Sequence, residues 1–348
     1  MFSFIPVMMF LVAAIAVNTT AEEAGVQPPK LSESRDYAEY WEQQFYFETG
    51  SLLTSQFLIT NLPISKHHGL MIASLKLPGE PAVVIKNGRS RDGWNFDGGI
   101  PQLTIFQHEL KGRPPGYMLQ LHNTAAEVDA LFNPKLDPIV LVEEDNDMNL
   151  PTISLYAPDV RAFARWRPGP EIGGQGPDGD WLALGHGTGY ALHVRQDVPL
   201  GRVLRRWIRV TPIDNNGPFT LILHHFATPS ERTRTEAILV PRFGKPARLE
   251  GVGLEGLVAE GRLKINGSGF QGAITPEEEL ETFLIADQLN GFEKLVAGSL
   301  ANISRYRWLA SYELEGTLHG RPYSLAGTAI LEEILVGEEK KNRRRRRR

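Results

Sequence analysis

Short apolar runs that alternate with polar residues, separated by Gly, Pro, Asn and Asp, occupy most of this chain. That pattern predicts antiparallel strands joined by tight turns. Residues 43–48 and 52–61 form a first hairpin about Thr49-Gly50. Residues 69–77 place Met71, Ala73, Leu75 and Leu77 on one side, and residues 82–86 run into Asn87-Gly88, a strong hairpin signal. Residues 103–110 and 117–123 flank a turn at 112–116. In residues 160–166, Val160, Ala162, Ala164 and Trp166 share one face and Arg161, Phe163 and Arg165 the other. Small residues on the inner face leave room inside a barrel. The Gly/Pro loop at 168–180 is long enough to cover a barrel mouth.

The most informative block is 184–226. A Gly-rich turn leads into a strand at 190–194, a loop with Pro199 and Gly201 feeds a basic, aromatic strand at 205–211, and Asn215-Asn216-Gly217-Pro218 turns the chain into 219–226. Further on, 237–240 reads as a short strand and Asn266-Gly267 as a turn. Thr275-Pro276-Glu277-Glu278 has the pattern of a capping box, and Leu280, Phe283 and Leu284 follow at helical spacing. One short helix over 279–289, stopped by Gly291, is therefore expected in the C-terminal part. Residues 306–314 alternate again, a turn falls at His319-Gly320-Arg321-Pro322, and 323–335 closes the pattern. Strands at hairpin spacing with no helices between them exclude a parallel sheet. The reading is all-β: two antiparallel lipocalin-like barrels of the calycin type in tandem, one over 36–240 and one over 241–336.

Composition adds three points. The chain has 348 residues, 42% apolar and 22% charged, enough for a sizeable core. It has no cysteine, which excludes disulfides, thiolate metal sites and a cysteine nucleophile. Residues 1–21 form an apolar run ending in small residues and followed by Glu22-Glu23, which reads as a signal peptide and predicts export, to the periplasm or outside the cell. The net charge of −4 hides a basic tail at 337–348 with six consecutive Arg, so the remaining body is distinctly acidic. An acidic body argues against a specific nucleic-acid partner. The tail is expected to be disordered, with peripheral membrane contact as its candidate role.

Candidate chemistry is sparse. His193 follows Tyr190 on a strand and is a candidate general acid or base, with Asp197 to orient it. Trp94 and Asp97 sit in a turn-rich stretch suited to a barrel rim. His224 and His225 must point to opposite faces of one strand, His67-His68 is a weak chelator, and no zinc-type spacing occurs, so no metal is predicted. Arg205, Arg206 and Arg209 surround Trp207; the preferred reading is a solvated outer face with a buried Trp. The stretch Gly185-His186-Gly187-Thr188-Gly189 lacks the Lys and the following helix of a phosphate loop, and no Ser stands in a nucleophile elbow. No cofactor is predicted.

Several of these motifs resemble the double-lipocalin superfamily that includes carotenoid 1,2-hydratases, AttH-like bacterial proteins and Svf1-like survival factors. Glu42-Gln43-Gln44-Phe45-Tyr46-Phe47 resembles the opening of the first barrel. Gly187-Thr188-Gly189-Tyr190 with His193, Pro199, Leu200 and Trp207 resembles the Gly-x-Gly-Tyr-x-x-His block, and 316–332 resembles the closing hairpin. Leu192 stands where hydratase-like members carry an acidic residue before the His, and Gln196-Asp197 replaces Trp-Gly. The resemblance thus supports the fold more than hydratase or cyclase chemistry. With the signal-peptide reading and an apolar barrel lining, the expected protein is exported and binds a small hydrophobic molecule, a lipid or isoprenoid, in a barrel cavity. Alternatively, the chain is a cofactor-independent hydratase or cyclase that protonates an isolated double bond. The expected catalytic residues are Asp97, Tyr190, His193 and Asp197; the expected ligand contacts are Trp94, Tyr117, Trp166, Trp207 and His225.

Overall fold

The computed structural model describes residues 25–62, 65–87, 93–144, 146–213, 219–241, 245–284, 287, 303–318 and 321–337. The signal-peptide segment, Gly88 of the Asn-Gly pair, the 214–218 turn, Gly291 and the Arg run lie outside them.

Two curled antiparallel sheets follow one another as half-barrels in tandem. The first is built from β1 (Ala38–Phe47), β2 (Leu52–Leu62), β3 (Ser65–Lys76), β4 (Val83–Asn87), β5 (Trp94–Asp97), β6 (Gln102–Ile105), β7 (His108–Arg113), β8 (Gly116–His122), β9 (Ala126–Pro134), β10 (Ile139–Val142), β11 (Thr152–Pro168) and β12 (Leu182–Gln196). Its spatial order is β4-β3-β2-β1-β12-β11-β9-β8-β7-β6-β5, with β10 on β11. After α1 (Leu200–Val203), a single turn, the second sheet uses β13 (Arg206–Pro212), β14 (Phe219–Ala227), β15 (Thr233–Pro241), β16 (Ala247–Leu249), β17 (Gly253–Glu255), β18 (Leu263–Gly267), β19 (Phe270–Leu284), β20 (Ile303–Leu318) and β21 (Arg321–Val336). Its order is β16-β15-β14-β13-β21-β20-β19-β18-β17.

The long pairing β1–β12 organises the molecule. On β1, Trp41, Phe45 and Phe47 enter the core of the first sheet with Phe57, Phe132, Val160, Ala162, Ala164 and Trp166. Tyr40, on the opposite face, joins a seam between the sheets with Tyr190, Leu192, Trp207, Phe226 and Ile334. Both faces of β1 are therefore covered, which is why its polar residues Glu39, Glu42, Gln43 and Gln44 are buried. A third core fills the second half-barrel around Ile208, Leu223, Leu239, Tyr312 and Leu331.

Four expectations change. The chain passes from one sheet to the other between Gln196 and Arg206, not near Val240, because β13, β14 and β15 pair within the second sheet. The helix expected over 279–289 does not begin at its capping box: residues up to Leu284 belong to β19, paired with β20 along its length, Asp287 is helical, and the other positions of the span lie outside the described residues. Bulges at Pro276/Glu278 and Glu279/Glu281 absorb the proline, and Glu281 turns inward to an Arg, a gain no local capping signal offers. The stretch 103–110 is two strands, β6 and β7, folded on each other at Phe106, whose φ is 53°. Finally, β4 and β5, which flank Asn87-Gly88, end at opposite edges of the first sheet.

The glycines at 187 and 189 lie inside β12 and not in a turn. A Cβ at Gly189 would stand 1.8 Å from the Gln44 carbonyl oxygen, a backbone atom that cannot step aside. Gly189→Ala is expected to cost about 3 kcal/mol through overpacking, read as a lower urea midpoint. An unchanged midpoint would show that β1 and β12 can separate locally at no cost.

Candidate active site

Near one end of the first half-barrel, four buried side chains converge. Residues 39 and 41 share a face of β1 by the two-residue period, and β12 pairs antiparallel so that His193 stands directly opposite Trp41. The two rings stack, with centroids 4.9 Å apart and planes at 27°. The His193 Nε2 lies 2.7 Å from Glu39 Oε1. The other carboxylate oxygen, Oε2, accepts the Tyr37 hydroxyl at 2.6 Å and the Lys30 amide at 2.8 Å. Burial, then the adjacent Glu39 charge, push the Tyr37 phenol well above its ordinary value, so it remains a donor.

Glu39 is fully buried and His193 is 6% exposed. Glu39 has both carboxylate oxygens engaged by three neighbours, with none free for a reacting group. It orients the imidazole with a proton on Nε2, which leaves Nδ1 as the basic nitrogen. Nδ1 has no hydrogen-bond partner among the described residues. This is the arrangement of a carboxylate–histidine general base.

Deeper along the same face, Gln43 donates to the Tyr156 hydroxyl at 2.7 Å and accepts from Ser55. The Tyr117 hydroxyl lies 3.4 Å from the Tyr156 carbonyl oxygen, and its ring stacks on Phe132 at 5.1 Å. These groups place a short polar chain in an otherwise apolar interior.

The other expected site residues scatter. Tyr190, three positions before His193 on one strand, faces the opposite way and lies 3.4 Å from Glu42 in the seam. Burial holds its phenol far above its normal range, so it does not share a proton with His193. Asp197 pairs with Arg195 at 3.1 Å, and Glu39 takes the orienting role expected of it. Asp97 is exposed and accepts the Gly99 amide at 2.8 Å, as a turn residue does. Trp94 donates to the His67 carbonyl at 2.7 Å at the edge of the first core, and Trp166 lies inside that core. Trp207 donates to His224 Nδ1 at 3.2 Å in the seam, whereas His225, on the other face of β14, bonds Thr235 at 2.8 Å. The nine candidates therefore do not form one site: Trp94, Tyr117 and Trp166 belong to the first core and Tyr190 and Trp207 to the seam. Of the four expected catalytic residues, only His193 belongs to the Glu39 cluster.

The seam holds a second polar assembly. Arg209 was expected on a solvated face, yet it is fully buried. It pairs with Glu42 at 2.6 Å and with Glu332. Arg307 pairs with Glu332 at 2.8 Å and with Glu281, Arg305 pairs with Glu42 at 2.9 Å, and Ser74 donates to Glu281. Burial alone would raise the Glu42 carboxyl, but Arg209, Arg305 and Arg307 outweigh it and bring it down to about 2. Three cations and three carboxylates interlock here. We read this seam as the joint between the half-barrels.

Sequence reasoning missed Glu39 and Trp41. A signal existed, since Glu39-x-Trp41-x-Gln43 puts polar and aromatic residues on one strand face, but the partner lies 154 residues away.

No family model matches the chain, and no curated protein does. Among solved structures, CghA with Sch210972 superposes with a TM-score of 0.56 at 11% identity, covering 86% of this chain and 89% of the other. The AttH-assigned protein from Nitrosomonas europaea gives 0.54 at 13%, covering 94% and 98%. Kievitone hydratase from Nectria haematococca gives 0.53 at 10%, covering 86% and 89%. At these identities what is shared is the fold: the chain has the tandem double-barrel architecture of the AttH, CghA and kievitone hydratase proteins.

Proposed function

We propose that this protein is a cofactor-independent enzyme, of the hydratase or cyclase kind, acting on a small hydrophobic molecule at Glu39 and His193. The observation that carries the reading is the buried carboxylate–imidazole pair, 2.7 Å apart, with its second ring nitrogen unengaged. The two fold neighbours that hold Sch210972 or act as kievitone hydratase give the reading context. The apolar walls favour a hydrophobic substrate by about 25 cal/mol per Å² of apolar surface withdrawn from water. Storage of a long lipid is less well supported, because holding an apolar chain needs no buried carboxylate–imidazole pair.

The test is turnover. The protein is incubated with a panel of prenylated phenols, enones and polyenes, and products are sought by mass spectrometry as an added water or an isomer. Glu39→Gln and His193→Ala are each expected to lower turnover by about 10²- to 10⁴-fold, the usual share of a general acid–base. Variants as active as the wild type would remove the pair from the mechanism. Tightly retained lipid with no turnover of any substrate would return the protein to a carrier.

A further inference from the structure

Trp41 is fully buried, and its indole Nε1–H has no hydrogen-bond partner among the described residues. A buried donor left unmade is costly, so such a group calls for a reason. This one belongs to the ring stacked on His193. An unengaged donor and an unengaged base thus stand on adjacent rings. Glu39, by contrast, has both oxygens occupied.

The strength of the acid matters. An imidazolium is a weak acid by its chemistry, and the adjacent Glu39 has both oxygens tied to Lys30, Tyr37 and His193. Neither group is a strong enough acid to protonate an isolated alkene. Both suit a reaction in which negative charge develops on an oxygen, provided a donor awaits that oxygen.

Resting on the function proposed above, we infer that the substrate is a conjugated carbonyl compound whose oxygen is held by Trp41 Nε1–H. His193 Nδ1 removes a proton from water as the water oxygen bonds to the β-carbon. The π electrons of the double bond shift, and the carbonyl becomes an enolate whose oxygen accepts from Trp41. The proton on Nδ1 then passes to the α-carbon, the carbonyl re-forms, and the imidazole is again neutral. The sum is addition of one water across the double bond, with no oxidant or reductant.

Chalcone and trans-stilbene separate the possibilities, since both carry two phenyl rings and a carbon–carbon double bond and only chalcone has the carbonyl. The wild type is expected to hydrate chalcone and leave stilbene untouched. The infrared carbonyl band of bound chalcone should move to lower frequency. In Trp41→Phe that shift should vanish, and kcat should fall about 10²-fold, as for loss of one oxyanion donor, with KM little changed. An independent readout needs no variant: the Trp41 indole proton should move downfield with chalcone and not with stilbene. Three results overturn the assignment: hydration of stilbene, failure to bind or turn over chalcone, or an unaltered carbonyl band and kcat in a folded Trp41→Phe. If His193→Ala abolishes turnover while Trp41→Phe does not, only the oxygen assignment falls. If His193→Ala is fully active, the underlying proposal falls.

Discussion

Arg209→Met is expected to destabilise the protein by about 3–5 kcal/mol, the cost of stranding buried charges. Arg209 is one of the side chains that tie the two half-barrels together, with Arg305 and Glu281. It comes from β13 of the second sheet, meets Glu42 of β1 in the first at 2.6 Å, and also reaches Glu332. Its removal leaves two buried carboxylates with one cation fewer between them. Against a total stability of about 5–15 kcal/mol, such a loss is large. The measurement is urea denaturation of single and paired variants. Glu42→Gln added to Arg209→Met should return part of the loss, because the second change removes a buried carboxylate that the first one left with Arg305 as its paired cation. The coupling expected for contacting groups is about 0.5–3 kcal/mol. A cost within 0.5 kcal/mol for Arg209→Met, or strict additivity of the pair, would show that the seam is held by its apolar residues alone.

Stability should also fall steeply as pH drops from 8 to 5. His108, His224 and His225 are all buried, and burial is the main cause that lowers their pKa values, to about 4, 3 and 4. The neighbouring His122, Arg209 and Arg206, respectively, lower them further. All three stay neutral in the folded state at pH 5, whereas in the unfolded chain they protonate near 6.5. The unfolded state therefore binds more protons below pH 6.5, and stability decreases with falling pH. Each histidine contributes up to about 1.4 kcal/mol per pH unit, so the three together remove roughly 6 kcal/mol between pH 8 and 5. Glu42 acts in another window: its stabilising effect is complete above the unfolded carboxylate value of about 4.3 and is lost only as pH falls toward 2. Urea midpoints taken at intervals of pH would separate the two. His224→Gln, which keeps an acceptor for Trp207, should flatten the slope by about one third. A stability constant from pH 8 to 5 would mean that these histidines are hydrated or charged in the fold.

Much of the architecture was legible from local pattern. Thr49-Gly50 predicted the first hairpin, and Gly50 does adopt a positive φ of 79°. The alternation at 160–166 correctly assigned Val160, Ala162, Ala164 and Trp166 to the interior. The antiparallel class followed from hairpin spacing alone. Local pattern failed where a tertiary partner reversed it. Thr275-Pro276-Glu277-Glu278 has a helix-start signature, but pairing with β20 draws the segment into the sheet. The stretch around Arg209 looked like a solvated face because nothing nearby in sequence neutralises it; its partners Glu42 and Glu332 lie 167 and 123 positions away.

The candidate site shows the same division. His193 was readable as a candidate base, and the period of two already implied that Tyr190, three positions earlier, faces away from it. What no local reading supplies is Glu39, Trp41 and the direction of their atoms, since only the pairing of β1 with β12 brings position 41 opposite position 193. By itself the sequence determined the strand class, the hairpins and which faces are apolar, because those depend on residues within a turn or two of one another. The tertiary structure decided where the chain changes sheet, which charges are buried and which carboxylate meets His193, because those depend on strand register between segments more than a hundred residues apart.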